Sequence, residues 1–173
     1  MKNKKAITDV SVKILYVALL VASYIIQFLF LPRLGICFPV LLLIPMTTAI
    51  AMHQREFSAL LFGLLSGALW DLASSLPDGT LALLFAVAAC GIGLLIRYVL
   101  RNTLLTALSL NLILIIFFSG VSYMALTEGF DYEFFKDLLF THYLPSIVIS
   151  LIFTIPDYLL IRAISKFTQT DKF

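Results

Sequence analysis

The sequence predicts an all-α integral membrane protein, a bundle of six transmembrane helices with the amino and carboxyl termini in the cytoplasm. Three observations predict it. First, 61% of the 173 residues are hydrophobic and only 13% are charged, and the mean hydropathy is +1.05. A soluble domain of this length has too much surface for its volume to hide so many apolar side chains, so lipid must be the solvent over most of the chain. Second, six apolar segments approach the roughly 20 helical residues that cross a bilayer core of about 30 Å. Third, Lys and Arg divide unequally between alternate connections. With six passes and the amino end inside, Lys2, Lys4, Lys5, Lys13, Arg55, Arg97, Arg101, Arg162, Lys166 and Lys172 are cytoplasmic, and only Arg33 and Lys136 are outside. The opposite orientation would reverse that excess.

The segments follow one another with short breaks, and the chain 1–173 is one membrane domain. A basic start, "MKNKKAITDVSVK", leads into the first span at about 14–31; it is longer than a signal-peptide core and no A-x-A site follows, so it is expected to stay in place. "LPRLG" precedes the second span, about 36–52, and "HQRE" separates it from the third, about 57–76. "LPDG" is a turn signal before the fourth, about 80–99. "RNT" offers Asn102 as an N-cap for the fifth, about 104–126, and the sixth runs over about 143–164. The composition excludes several functions. The net charge of +2 and the lack of basic runs interleaved with aromatics give no nucleic-acid partner. Cys37 and Cys90 sit in apolar surroundings and read as small buried hydrophobes. His53 and His142 fall on opposite sides of the membrane, and no metalloprotease, nucleophile-elbow or phosphate-loop motif occurs. No enzyme, metal or cofactor is expected.

Polar residues inside the spans carry what specificity the sequence has. Gly63, Gly67 and Asp71 are four apart, so they share one face of the third helix. A G-x-x-x-G strip lets a second helix approach closely, which in lipid replaces the missing hydrophobic drive. Asp71 lies six residues before Pro77, so it is expected about 9 Å below the end of that helix. An acid inside the membrane needs a partner: a hydroxyl, a backbone amide, a cation or its own proton. Two readings stand, a hydrogen bond that orders helix packing and a functional contact. Asn111 is the best interhelical candidate to meet it. In the sixth span Pro145 fits a first helical turn, and Pro156 should kink the helix. Asp157 follows directly, and Arg97 should reach a similar depth, so an Arg97–Asp157 ion pair is expected. The remaining polar groups, Gln27, Thr47, Thr48, Ser109, Asn111, Ser119, Ser122, Ser146, Ser150 and Thr154, are spread over four helices with no dense cluster.

The longest connection, 127–142, is acidic and aromatic. Phe130, Phe134 and Leu138 repeat every four residues, as expected for an outer interfacial helix over 130–140 with its rings in lipid and its acids in water. Either it caps the bundle or its apolar face docks a membrane-anchored partner outside the cell.

"FGLLSGALWDLASSLPDGTLALLFAV" resembles the signature of the MreD family of rod shape-determining proteins. Gly63, Gly67, Asp71 and Gly79 occupy the places of the family's Gly-rich helix, its acid and the glycine of the turn that follows. Arg97 and Arg101 match the basic pair closing the fourth span, and Leu144, Pro145, Pro156 and Arg162 match the last. The resemblance covers about residues 50–165; Asp157 departs from it, standing where the pattern has an apolar or aromatic residue. It implies a non-enzymatic scaffold subunit of the bacterial cell-elongation complex, in the cytoplasmic membrane. The implied partners are an MreC-like protein, the MreB filament, RodA and a class B penicillin-binding protein. The implied fold is similar to that of the S components of ECF vitamin transporters, which supplies the alternative function, a substrate-binding transporter subunit. Gly63, Gly67, Asp71, Gly79, Asn111, Phe130, Phe134 and Leu138 are the packing or partner candidates.

Overall fold

The computed structural model describes residues 2–30, 41–73, 79–126 and 144–170. Every element in them is helical: α1 (Lys2–Ile25, continued by a π-helical turn Ile26–Phe30), α2 (Leu43–His53), α3 (Glu56–Asp71), α4 (Thr80–Tyr98), α5 (Leu104–Leu126) and α6 (Leu144–Thr170). Within them Val10–Leu29, Thr80–Tyr98, Leu104–Val121 and Ser146–Lys166 are long and apolar enough to cross a membrane. The chain is therefore a multi-pass membrane protein. The outer helix expected over 130–140, with Phe130, Phe134 and Leu138, lies outside the described residues.

Two elements differ from the sequence expectation. α2 has 11 residues where a span over 36–52 is expected, about 16 Å of helix or half a bilayer core. α3 ends at Asp71 rather than near residue 76. α2 is the axis of the bundle. Every residue from Leu41 to Met52 is buried, and α2 packs against each of the other five helices. A helix with no polar stripe suits a position enclosed by other helices. It joins three apolar clusters: Leu43, Met46 and Ile50 with Tyr16, Leu20, Phe62 and Ile161; Ala51 and Met52 with Ala59, Ile92, Leu110 and Tyr158; Ile44 with Leu81, Phe85, Ile115 and Phe118.

The closest helix pair is α3 with α4, and glycine is the reason. A Cβ on Gly63 would stand 2.5 Å from the Phe85 carbonyl oxygen and 2.6 Å from the Ala89 Cβ. On Gly67 it would stand 2.4 Å from the Leu81 carbonyl oxygen and 2.5 Å from the Ala82 Cα. Gly93 and Ala59 continue the contact at the other end, where a Cβ on Gly93 would be 3.3 Å from the Glu56 Cα. Such contact supplies the dispersion energy that holds helices together in lipid. The glycine strip is thus spent within the chain, against α4. Outward faces remain apolar, as at Phe57, Leu83, Leu105 and Ile152.

Candidate functional site

The polar side chains of the bundle converge on the ends of helices. The first four N–H groups and last four C=O groups of a helix have no partner inside it. In lipid each orphan left bare costs several kcal/mol. Here neighbouring helices supply the partners.

Asp71 shows this most fully. One carboxylate oxygen accepts the Leu81 amide at 3.1 Å, and the other accepts the Ala82 amide at 3.0 Å. These are the second and third amides of α4. The residue at the N-cap position, Gly79, has φ +85° and offers no side chain, so α4 carries no cap of its own. Asp71 does that work from the end of α3, and its charge sits at the positive end of the α4 dipole. Because α3 ends at Asp71, the acid stands at the end of its helix and not about 9 Å below it. Trp70, the preceding residue, points the other way, into a ring cluster. It lies 5.3 Å from Phe85 and 6.2 Å from Phe118, and those two rings are 4.3 Å apart. Gly63, Gly67, Asp71 and Gly79 therefore belong to one helix-pair junction. Asn111 does not join it.

The buried start of α2 is capped in the same way. Leu42, at its N-cap position, makes no side-chain cap. Gln27, in the π-helical turn after α1, accepts the Leu43 amide through Oε1 at 2.9 Å. Ser150 of α6 accepts the Leu41 amide at 3.0 Å. Asn111 lies beside this, fully buried, and donates through Nδ2 to the Thr154 Oγ1 at 3.1 Å; Thr154 in turn donates to the Ser150 carbonyl. The Asn111 Oδ1 has no hydrogen-bond partner among the described residues. At the other end of α2, Asn102 donates to the Met52 carbonyl at 3.0 Å and Tyr158 donates to Asn102. Asn102 therefore closes α2 rather than opening α5. That N-cap is Thr103, whose hydroxyl accepts the Thr106 amide.

The expected Arg97–Asp157 ion pair is not formed. Arg97 donates instead to Glu56, in the first turn of α3. The antiparallel α3–α4 contact places the last turn of α4 beside the first turn of α3, so both charges also oppose the helix dipoles favourably. The Arg97 hydrogen bond holds the Glu56 carboxyl below the usual carboxylate range. The Asp157 side chain makes no hydrogen bond or ion pair among the described residues. α6 is continuous through Pro156, whose missing N–H leaves the Ile152 carbonyl without its helical donor. Pro145 stands in the first turn of α6, where proline removes no helical bond.

Beside the Arg97–Glu56 pair is a cavity of about 320 Å³, lined by Met52, His53, Gln54, Arg55, Glu56, Gly93, Ile96 and Arg97. Burial holds the His53 imidazole below its usual range, and its Nδ1 lies 2.9 Å from the Ala49 carbonyl oxygen. Among the described residues no three His, Cys, Asp or Glu side chains gather as a metal site requires.

The polar row Ser146, Ser150 and Thr154 is the part that sequence reasoning missed. All three are buried on one face of α6. Their spacing of four was the available signal. Comparison of the chain with models of protein families, with curated proteins and with solved structures returns no match.

Proposed function

We propose that this chain is a non-enzymatic scaffold subunit of the bacterial cell-elongation complex. In this reading it crosses the cytoplasmic membrane six times, with both termini inside, and supports cell shape and lateral peptidoglycan synthesis. It does so by binding an MreC-type protein, the MreB filament, RodA and a class B penicillin-binding protein. The family resemblance over residues 50–165 and the Lys and Arg distribution support the assignment and the orientation. One observation carries the mechanism: the polar groups at the helix junctions are used on the backbones of neighbouring helices. Side chains engaged in this way brace a rigid body, and rigid bodies with apolar flanks suit the lateral assembly of membrane proteins. A second reading, the substrate-binding S component, is favoured by the buried Asn111 Oδ1, which a bound polar molecule would satisfy.

Depletion of the protein in its own host, followed by microscopy, separates the two. Cells are expected to widen and round while nutrient uptake stays normal. Rods that keep their shape, with growth restored by one added vitamin, would reject the scaffold reading in favour of the transporter subunit.

A further inference from the structure

Asp157 is a carboxylate in a membrane helix, partly buried, with no hydrogen bond or ion pair among the described residues. The cations nearest along its own helix are turned away. At about 100° per residue, Arg162 and Lys166 fall about 140° and 180° around α6 from it. Arg97, the cation expected for it, is held by Glu56. Depth is fixed by the next residue: the Tyr158 hydroxyl reaches Asn102, in the short connection between α4 and α5 that also carries Arg101. Asp157 is therefore near the end of the bundle that holds Arg97 and Arg101.

On its exposed side the surface around the acid is apolar. Asp157 stands at the edge of the buried face of α6: Ser146, Ser150, Thr154 and Ile161 fall within about 60° of it and are buried, and Ile164 packs against the core, while Ile149, Phe153 and Leu160 fall within about 80° on its other side, spaced by three and four residues. Phe153 is 39% exposed and Leu160 is 42% exposed. The pattern is a seam of apolar side chains interrupted by one acid. A seam with that spacing accepts a second helix, and a single polar residue within it selects the partner and fixes its register. An unpaired acid in lipid is expensive, so the partner that neutralises it is favoured over one that does not.

We propose that the Phe153–Asp157–Leu160 face of α6 docks a transmembrane helix of a partner protein, one carrying a lysine or arginine within about two turns of the same end. The proposal rests on the scaffold reading and names the chemistry of one of its contacts. Charge complementarity decides the occupant. A second copy of this chain would bring another Asp157 to the seam, which only an added proton could neutralise, whereas a cationic side chain neutralises the acid directly.

The test uses the purified full chain in phosphatidylcholine nanodiscs and two synthetic leucine–alanine transmembrane peptides. One carries a single lysine at the matching depth, and the other carries leucine there. Binding is read by energy transfer between labels. The lysine peptide is expected to bind about tenfold more tightly than the leucine peptide. Asp157→Asn, which keeps the side-chain shape, is expected to abolish the difference while thermal unfolding stays unchanged. Asp157→Lys is expected to transfer the preference to a peptide with glutamate at that depth. Equal binding of the lysine and leucine peptides to the unaltered chain would overturn the proposal. So would a lysine preference that survives Asp157→Asn, or self-association of the chain that Asp157→Asn abolishes. The scaffold reading stands or falls separately, on cell shape after depletion.

Discussion

Asp71→Ala is expected to lower the stability of the bundle in detergent by about 2 kcal/mol, and Asp71→Asn by about half as much. The alanine variant orphans the Leu81 and Ala82 amides together, at a helix start where Gly79 supplies no substitute. Asparagine keeps one acceptor oxygen and loses the charge that faces the α4 dipole. Thermal unfolding gives the size of the loss, and amide exchange gives its place. Leu81 and Ala82 should exchange faster in Asp71→Ala while Leu110 and Ile115 of α5 do not. An unchanged melting temperature would remove the capping account. The functional-contact reading of Asp71, joined to the family resemblance, predicts a different result, that Asp71→Leu folds nearly normally and weakens assembly with the MreC-like partner. The geometry predicts that this variant loses stability first, because the acid closes a junction inside its own chain.

Gly67→Ala is expected to be about as damaging, on the order of 1–3 kcal/mol, and Gly67→Val more so. The new Cβ meets backbone atoms of Leu81 and Ala82, which cannot turn aside as a side chain end would. The helices must separate, and the separation also draws Asp71 away from the two amides it holds, so the Gly67 and Asp71 effects should be less than additive. Gly91 is the control. It lies on α4 with nothing within 4 Å of an added Cβ, so Gly91→Ala should be neutral or slightly stabilising. Unfolding midpoints of the three variants check the order. Equal tolerance of Gly67→Ala and Gly91→Ala would mean that α3 and α4 do not approach as closely as described.

The all-helical membrane fold was legible because apolar length is a direct consequence of the bilayer. The face shared by Gly63, Gly67 and Asp71 was legible too, because four-residue spacing fixes direction on a helix. What they face was not. A strip of small residues serves an internal helix and a foreign one equally, and only the fold shows Phe85, Ala89, Leu81 and Ala82 opposite. Depth alone matches Arg97 with Asp157, and depth has no azimuth. Glu56 lies across the α3–α4 contact, which the turn signal "LPDG" does predict once the two helices are taken as antiparallel neighbours. The shortness of α2 was hidden for a different reason. Its sequence is as apolar as that of a full span, and its helical start at Leu43 depends on Gln27 and Ser150, which are distant in sequence. Capping from another helix leaves no local signal, and so the sequence points to Asn102 as opening the helix it precedes rather than closing α2.

The proposed scaffold role requires this braced bundle to bind other membrane proteins. The most direct measurement is co-purification of the full chain with the MreC-type protein of its own host, in mild detergent, through size exclusion. A complex of fixed stoichiometry, in which both chains elute together, is the expected result. A chain that elutes alone, folded and with the melting temperature of the bundle, while the MreC-type protein runs without it, would overturn the scaffold role.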